Sequence, residues 1–359
     1  MMFSEFDFLE KSEMEIAPYN EAIITDFFSE DLSNKMVVFS AFSKSIDANL
    51  LRKHLYAYHY DEGVEFIDIG NVVSTLTDDK KQSAIKVIAT ILIKQNCIPI
   101  FFSDNDKCNF ALYSAFENYE QWVSVCEVSG AIQMFSKEDF LVKMLSHKPN
   151  YLFNYAHLAA QGYFVPSTIK ETLATLNFGE LRLGNLRSNT VIAEPMLRTA
   201  DFVILNTNSL KFSELGNSGA SPNGLYAEDL CQLAMYAGMS DQCNGISMVH
   251  PFKNFDETSA AYCSQLFWCF SGAVIRRLGD YPVGDYTNYV RYDVFFDKDD
   301  ITLTFYKSNV SDRWWLKTPD NINKEHNFKR HALIACSEND YLECSKGNIP
   351  KIWWTEMFK

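Results

Sequence analysis

The sequence predicts one three-layer α/β domain built on a mainly parallel β-sheet. Apolar, strand-like runs alternate with helical patterns along most of the chain, which is the rhythm of βαβ units. Few of these runs alternate apolar with polar residues, so both faces of the sheet are expected to be covered by helices. No composition break or low-complexity linker divides the 359 residues, a length that accommodates a large single core. Residues 1–34 form a leading segment. Residues 35–359 form the domain, closed by a C-terminal hairpin and a Trp-rich extension.

The elements follow in order. KMVVFSAFS (35–43) and VEFIDIGNVV (64–73) read as strands. DDKKQSAIKVIATILIKQN (78–96) is an amphipathic helix with Ile85, Ile88, Ile91 and Leu92 on one face. CIPIFF, a helix over CNFALYSAFENYEQ, the strand WVSVCEV, a helix over KEDFLVKMLSHK and the strand NYLFNYAHLAA come next. The second half repeats the pattern, with PSTIKETLATLN helical after Pro166, GELRLGNL a short strand and TVIAEPMLRTA a helix. DFVILN is a strand, GLYAEDLCQLAMYAGM a helix closed by Gly238, and NGISMVH a strand. A long helix spans 256–277, with Asp256 as N-cap, Arg276 and Arg277 in its last turn and Gly279 at its C-terminal cap. YVRYDVFF and ITLTFYK pair as a hairpin across DKDD (297–300).

Composition narrows the partners. A formal charge of −14 without a Lys/Arg cluster opposes nucleic acid and anionic lipid. Residues 260–275 are apolar but hold Ser264 and Gln265 and fall short of the ~20 residues a membrane span needs, so a buried core helix is expected. The acidic, interrupted N-terminus does not read as a signal peptide. The nine cysteines lack metal-type spacing, and most sit in apolar runs as small hydrophobes of a reducing compartment. A cytoplasmic location is the expectation.

In parallel sheets ligands gather at the carboxyl ends of strands. The tails to inspect are SDNDK (103–107), EVSGAIQ (127–133), NTNS (206–209) and HPFKNFD (250–256). In this order they resemble the arginase–agmatinase–formimidoylglutamase family, the ureohydrolases. The more specific likeness is to Bacteroidetes-type formimidoylglutamase-like members, in SPNGLYAEDLCQLAMYAGMSD (221–241), GDYPVGDY (279–286), FYKSNVSDRWWLKTP (305–319) and IPKIWW (349–354). The resemblance implies an arginase-like fold, family-typical homo-oligomers, and hydrolysis of a guanidinium or formimidoyl group by a hydroxide bridging two Mn2+ ions.

The resemblance also locates the family's ligand motifs, and each is altered here. The Gly-Gly-Asp-His-Ser place reads Ser103-Asp104-Asn105-Asp106-Lys107, with Asp106 where the ligand His would stand. The Asp-Ala-His-x-Asp place reads Ser129-Gly130-Ala131-Ile132-Gln133, and the Asp-x-Asp place reads Asn206-Thr207-Asn208. Ser129, Ala131, Gln133, Asn206 and Asn208 are therefore expected to be vestigial metal-site positions. Asp106 is the one acid kept among them, and Asp104, Asn105 and Lys107 flank it. No Mn2+ or other cofactor is expected, because neutral amides offer no charge to offset two dications.

The expected role is a catalytically inactive ureohydrolase-fold protein that binds a protein partner or a small molecule, or assembles as a homo-oligomer. The alternative is an active C–N hydrolase of linear amidines with a site rebuilt around Glu127 and His250, together with Asp104 and Asp106. Each residue also has a plainer reading. The two asparagines can cap turns, Asp104 to Lys107 can form a capped turn, and His250 can be structural. Glu127 should find a partner, for which Lys107 is the expectation. The paired tryptophans of DRWWLK and IPKIWW can pack the C-terminal extension or face a partner.

Overall fold

Every residue of the strand Met36–Ala41 is buried, and its side chains divide between two cores: Val37, Phe39 and Ala41 enter one, Met36 and Val38 the other. That is the signature of a strand covered on both faces. The computed structural model describes residues 9–10, 23–24, 32–118, 122–132, 134, 136–216, 221–282, 286–296, 301–317, 333–350 and 352–353.

Short strands β1 (Leu9–Glu10) and β2 (Ile23–Ile24) lead into β3 (Met36–Ala41), α1 (Ala48–Ala57), β4 (Phe66–Val72), α2 (Asp78–Lys94) and β5 (Ile98–Ser103). Then follow α3 (Asn109–Ser114), β6 (Val123–Val128), α4 (Phe140–Ser146), β7 (Leu152–Ala160), α5 (Ser167–Thr175), β8 (Gly179–Arg182), α6 (Leu183–Ser188) and α7 (Glu194–Arg198). The second passage through the sheet comprises β9 (Phe202–Asn206), α8 (Phe212–Leu215), α9 (Ala227–Gly238), β10 (Gly245–Val249) and α10 (Glu257–Val274). The chain ends with β11 (Tyr289–Phe296), β12 (Ile301–Ser308), β13 (Trp314–Lys317), β14 (Leu333–Cys336) and α11 (Glu338–Ser345).

The central sheet runs β4-β3-β5-β10-β9-β6-β7-β8, parallel throughout, with β1 antiparallel and β2 parallel to β4 at one edge. The predicted three-layer α/β class is what the structure has. Ile85, Ile88 and Leu92 of α2, with residues of α3, α4 and α5, cover one face. Leu51 and Leu55 of α1, with residues of α6, α7, α9 and α10, cover the other. The chain leaves β5, builds β6 to β8 outward, then returns to insert β9 and β10 between β5 and β6. This return places four strand tails side by side, at the position where such sheets bind ligands.

The GELRLGNL segment is only half strand: β8 stops at Arg182 and α6 begins at Leu183. Gly238 is the last helical residue of α9, not a left-handed cap. A Cβ there would come within 2.4 Å of the Phe270 carbonyl oxygen, so the glycine serves the close crossing of α9 on α10. Asp256 caps α10 as expected, its carboxylate accepting from Ser259 N at 2.9 Å. Ala260, Leu266, Phe267 and Phe270 of α10 are fully buried. Among the described residues no helix is long and apolar enough to cross a membrane.

The expected hairpin of β11 and β12 grows into an antiparallel sheet of order β11-β12-β13-β14. Trp314, Trp315 and Trp353 are buried within this unit, in keeping with a packing role, while Trp354 and the DKDD turn lie outside the described residues. Arg198 of α7 fastens the unit to the main domain. Its guanidinium donates to the Trp314 carbonyl at 3.1 Å and the Cys336 carbonyl at 2.9 Å, and lies 4.5 Å from the centre of the Trp315 ring. Its Nε is 3.0 Å from Glu194, close enough for ion pairing though not aligned as a hydrogen bond.

Candidate functional site at the strand tails

The tails of β5, β10, β9 and β6 each end in a polar residue satisfied close by. After β9, Asn206 is buried, and its side-chain oxygen accepts from Asn208 N at 3.0 Å. This Asx turn starts a short 3-10 segment, Thr207–Ser209. Asn208 reaches across to the β6 tail: its Oδ1 accepts from Gly130 N at 3.0 Å and lies 3.0 Å from Ser129 Oγ. The Ser129 hydroxyl donates to the Ala131 carbonyl at 2.6 Å. The two loops touch so closely that a Cβ on Gly130 would fall 2.8 Å from the Asn208 carbonyl oxygen and 2.8 Å from Gln161 Nε2. Gln133 lies outside the described residues.

After β5, the Asp104 carboxylate accepts from Ser43 N at 3.1 and 3.2 Å, tying this tail to the loop after β3. Asn105 caps the following turn through Lys107 N at 3.1 Å. Burial, together with the charge of Asp139, raises the Asp106 carboxyl above its usual range.

Glu127 is buried, and its partner is not Lys107. Tyr155, on the neighbouring strand, donates to Glu127 Oε2 at 2.6 Å. Glu127 sits on the face of β6 that packs toward the α2–α5 layer; the register sets His157 opposite it and Tyr155 opposite Val125, so Tyr155 reaches Glu127 diagonally. Burial pushes this carboxyl up to about 7, against the lowering effect of the Tyr155 hydrogen bond.

His250, after β10, is buried with both ring nitrogens engaged. Nε2 lies 3.1 Å from the Asn254 carbonyl, which can only accept, so Nε2 carries the hydrogen and Nδ1 accepts from Thr207 Oγ1 at 3.1 Å. Phe252 and Phe255 pack edge-on to the ring at 5.3 and 5.2 Å. Burial lowers its pKa, so the neutral ring is held as a structural tie between tails.

Asp106 lies near enough to Glu127, and Asp104 near enough to His250, for their charges to be felt, yet three of the four are anchored to separate partners: Ser43, Tyr155, and Thr207 with Asn254. Among the described residues no three His, Cys, Asp or Glu side chains are grouped to hold a metal ion. From the sequence, His157 reads as flanking a strand with no visible partner. It is fully buried on β7, with Nε2 donating to the Ser129 carbonyl at 2.7 Å and Nδ1 without a partner. Burial drives its pKa down to about 4. Its partner is a backbone atom of the β6 tail, which leaves no trace in the sequence.

No protein-family model matches the sequence, and no curated protein matches it. Solved structures do match in three dimensions. Trypanosoma cruzi formiminoglutamase with Mn2+2 superposes at TM-score 0.60 and 13% identity, over 69% of this chain and 96% of that one. Formimidoylglutamase from Bacillus subtilis gives 0.61 and 13%, over 72% and 91%. Agmatine ureohydrolase of Thermoplasma volcanium gives 0.57 and 12%, over 69% and 92%. Parallel strand order, covered sheet faces and these superpositions agree: the chain has the α/β fold of the arginase superfamily.

Proposed function

We propose that this protein keeps the ureohydrolase fold without its hydrolytic chemistry and acts by binding. One observation carries the reading: the strand tails that meet at the sheet's ligand position present Asn206, Asn208 and Ser129, neutral groups bonded to one another and to local backbone. A pair of divalent cations needs anionic and imidazole donors converging on it, and Asp106 alone offers a charge among the positions that the family likeness marks. The donor set does not fit two Mn2+ ions. A rebuilt site is also poorly supported, since Glu127 and His250 are committed to Tyr155 and to Thr207 with Asn254. The bound species under this reading is a small molecule, a protein partner or a second copy of the chain.

Metal analysis tests the proposal. Protein incubated with excess Mn2+ and desalted should retain far less than one equivalent, and should release no ammonia, urea or formamide from linear amidines. Two tightly held equivalents, or turnover that a chelator abolishes, would overturn it.

A further inference from the structure

Beside the tied strand tails, an open cleft of about 550 Å3 lies at the carboxyl ends of β7 and β8. Its size falls within the range of small-molecule sites, and its place is where parallel sheets present ligands. We infer that this cleft binds a small anion, a molecule bearing a carboxylate or phosphate, gripped by Arg182 and Arg187. The inference gives the proposed binding role a ligand class and rests on that role.

The charge pattern carries it. In a chain of net charge −14, the cleft walls hold two arginines, with Gln161, Tyr163, Ser188 and Asn223, and no carboxylate. Arg187 is exposed and makes no ion pair among the described residues. Its guanidinium is instead placed by the Tyr226 ring, 4.8 Å from the ring centre, an arrangement that orients the donor fork without using it up. Arg182 is 70% exposed and touches one carboxylate, Glu180, at 3.3 Å through Nε, so its terminal nitrogens stay available. Lys170 adds a third positive charge nearby, its Nζ donating to the Gly162 carbonyl at 2.7 Å.

Gln161, in the cleft wall, is fixed from behind: its Oε1 accepts from Tyr163 and from Ser221 at 3.2 Å, and its buried Nε2 faces Gly130 on the β6 tail. Asn223 and Ser188 supply further neutral donors around the same volume. The planar forks of two arginines suit carboxylate and phosphate alike.

Calorimetric titration of the full chain at low salt, with glutarate in one arm and inorganic phosphate in the other, tests the inference. Saturable binding of at least one probe is expected, and the arm that responds assigns the headgroup. Arg182→Gln and Arg187→Gln should each weaken it roughly tenfold or more. Both side chains are exposed, so the variants should fold. Arg276→Gln, which removes an exposed arginine paired with Asp61 elsewhere, should leave affinity unchanged. No saturable binding of either probe, or equal weakening by Arg276→Gln, would overturn the site. Retained Mn2+ with turnover would instead refute the non-hydrolytic reading, so the two failures are separable.

Discussion

Tyr155 gives its phenolic hydrogen to Glu127 at 2.6 Å, and together they form a buried polar pair between neighbouring parallel strands. The Glu127 carboxyl is raised from 4.5 to about 7, so the folded state holds its proton more tightly than the unfolded chain does. Its stabilising contribution is therefore complete below the unfolded pKa, declines as pH rises and is lost above about 7. Glu127→Gln keeps an acceptor for Tyr155 and removes the titration. Urea denaturation at pH 5 and pH 8 should show wild type losing stability relative to this variant, by up to about 3 kcal/mol. Parallel behaviour of the two proteins would refute the assignment.

Among the described residues, the Asn208 side chain is bonded through its oxygen. Asn208→Ala leaves the buried Gly130 N–H without an acceptor and should cost about 1–3 kcal/mol in chemical denaturation. Asn208→Asp keeps an acceptor in the same place and should cost less at neutral pH. If the alanine variant is the more stable of the two, the tie between the tails contributes nothing.

Arg52 and Asp68 form a fully buried ion pair at 2.7 and 2.8 Å, with Asn71 and the Gly70 carbonyl taking two further guanidinium hydrogens and Tyr56 donating to Asp68. Asp68→Asn strands a buried cation and should destabilise the fold by roughly 3–5 kcal/mol, read as a lower urea midpoint. A loss below about 1 kcal/mol, the range of exposed pairs, would mean that water reaches the site.

Arg198→Met should remove the charged donor from the Trp314 and Cys336 carbonyls, at about 1–3 kcal/mol each. The expected readout is local: faster amide exchange in 301–317 and 333–336, ahead of the central strands. Uniform acceleration across the whole chain would contradict a local fastening role for this contact.

The central sheet was legible because its strands are buried on both faces and read as apolar runs. The missing helix, α1, shows the limit: ANLLRKHLYA turns Arg52 into the core, which spoils the apolar stripe, and its partner Asp68 is in a strand. β13 and β14 have four residues each, too few for a period to show. At the candidate site the tail residues could be listed, but their partners could not. Glu127 meets Tyr155 through strand register, and Gly130 meets Asn208 through a crossover of the chain, neither of which is local in sequence.

The grip of Arg198 has a consequence for how the C-terminal sheet can vary. It clasps carbonyl oxygens, which every amino acid supplies, so the attachment places few demands on which side chains the clasped strands carry. Saturation mutagenesis should find that position 198 itself accepts almost no replacement, while outward-facing positions of β11, such as Val290 and Phe295, which the clasp does not touch, tolerate broad change.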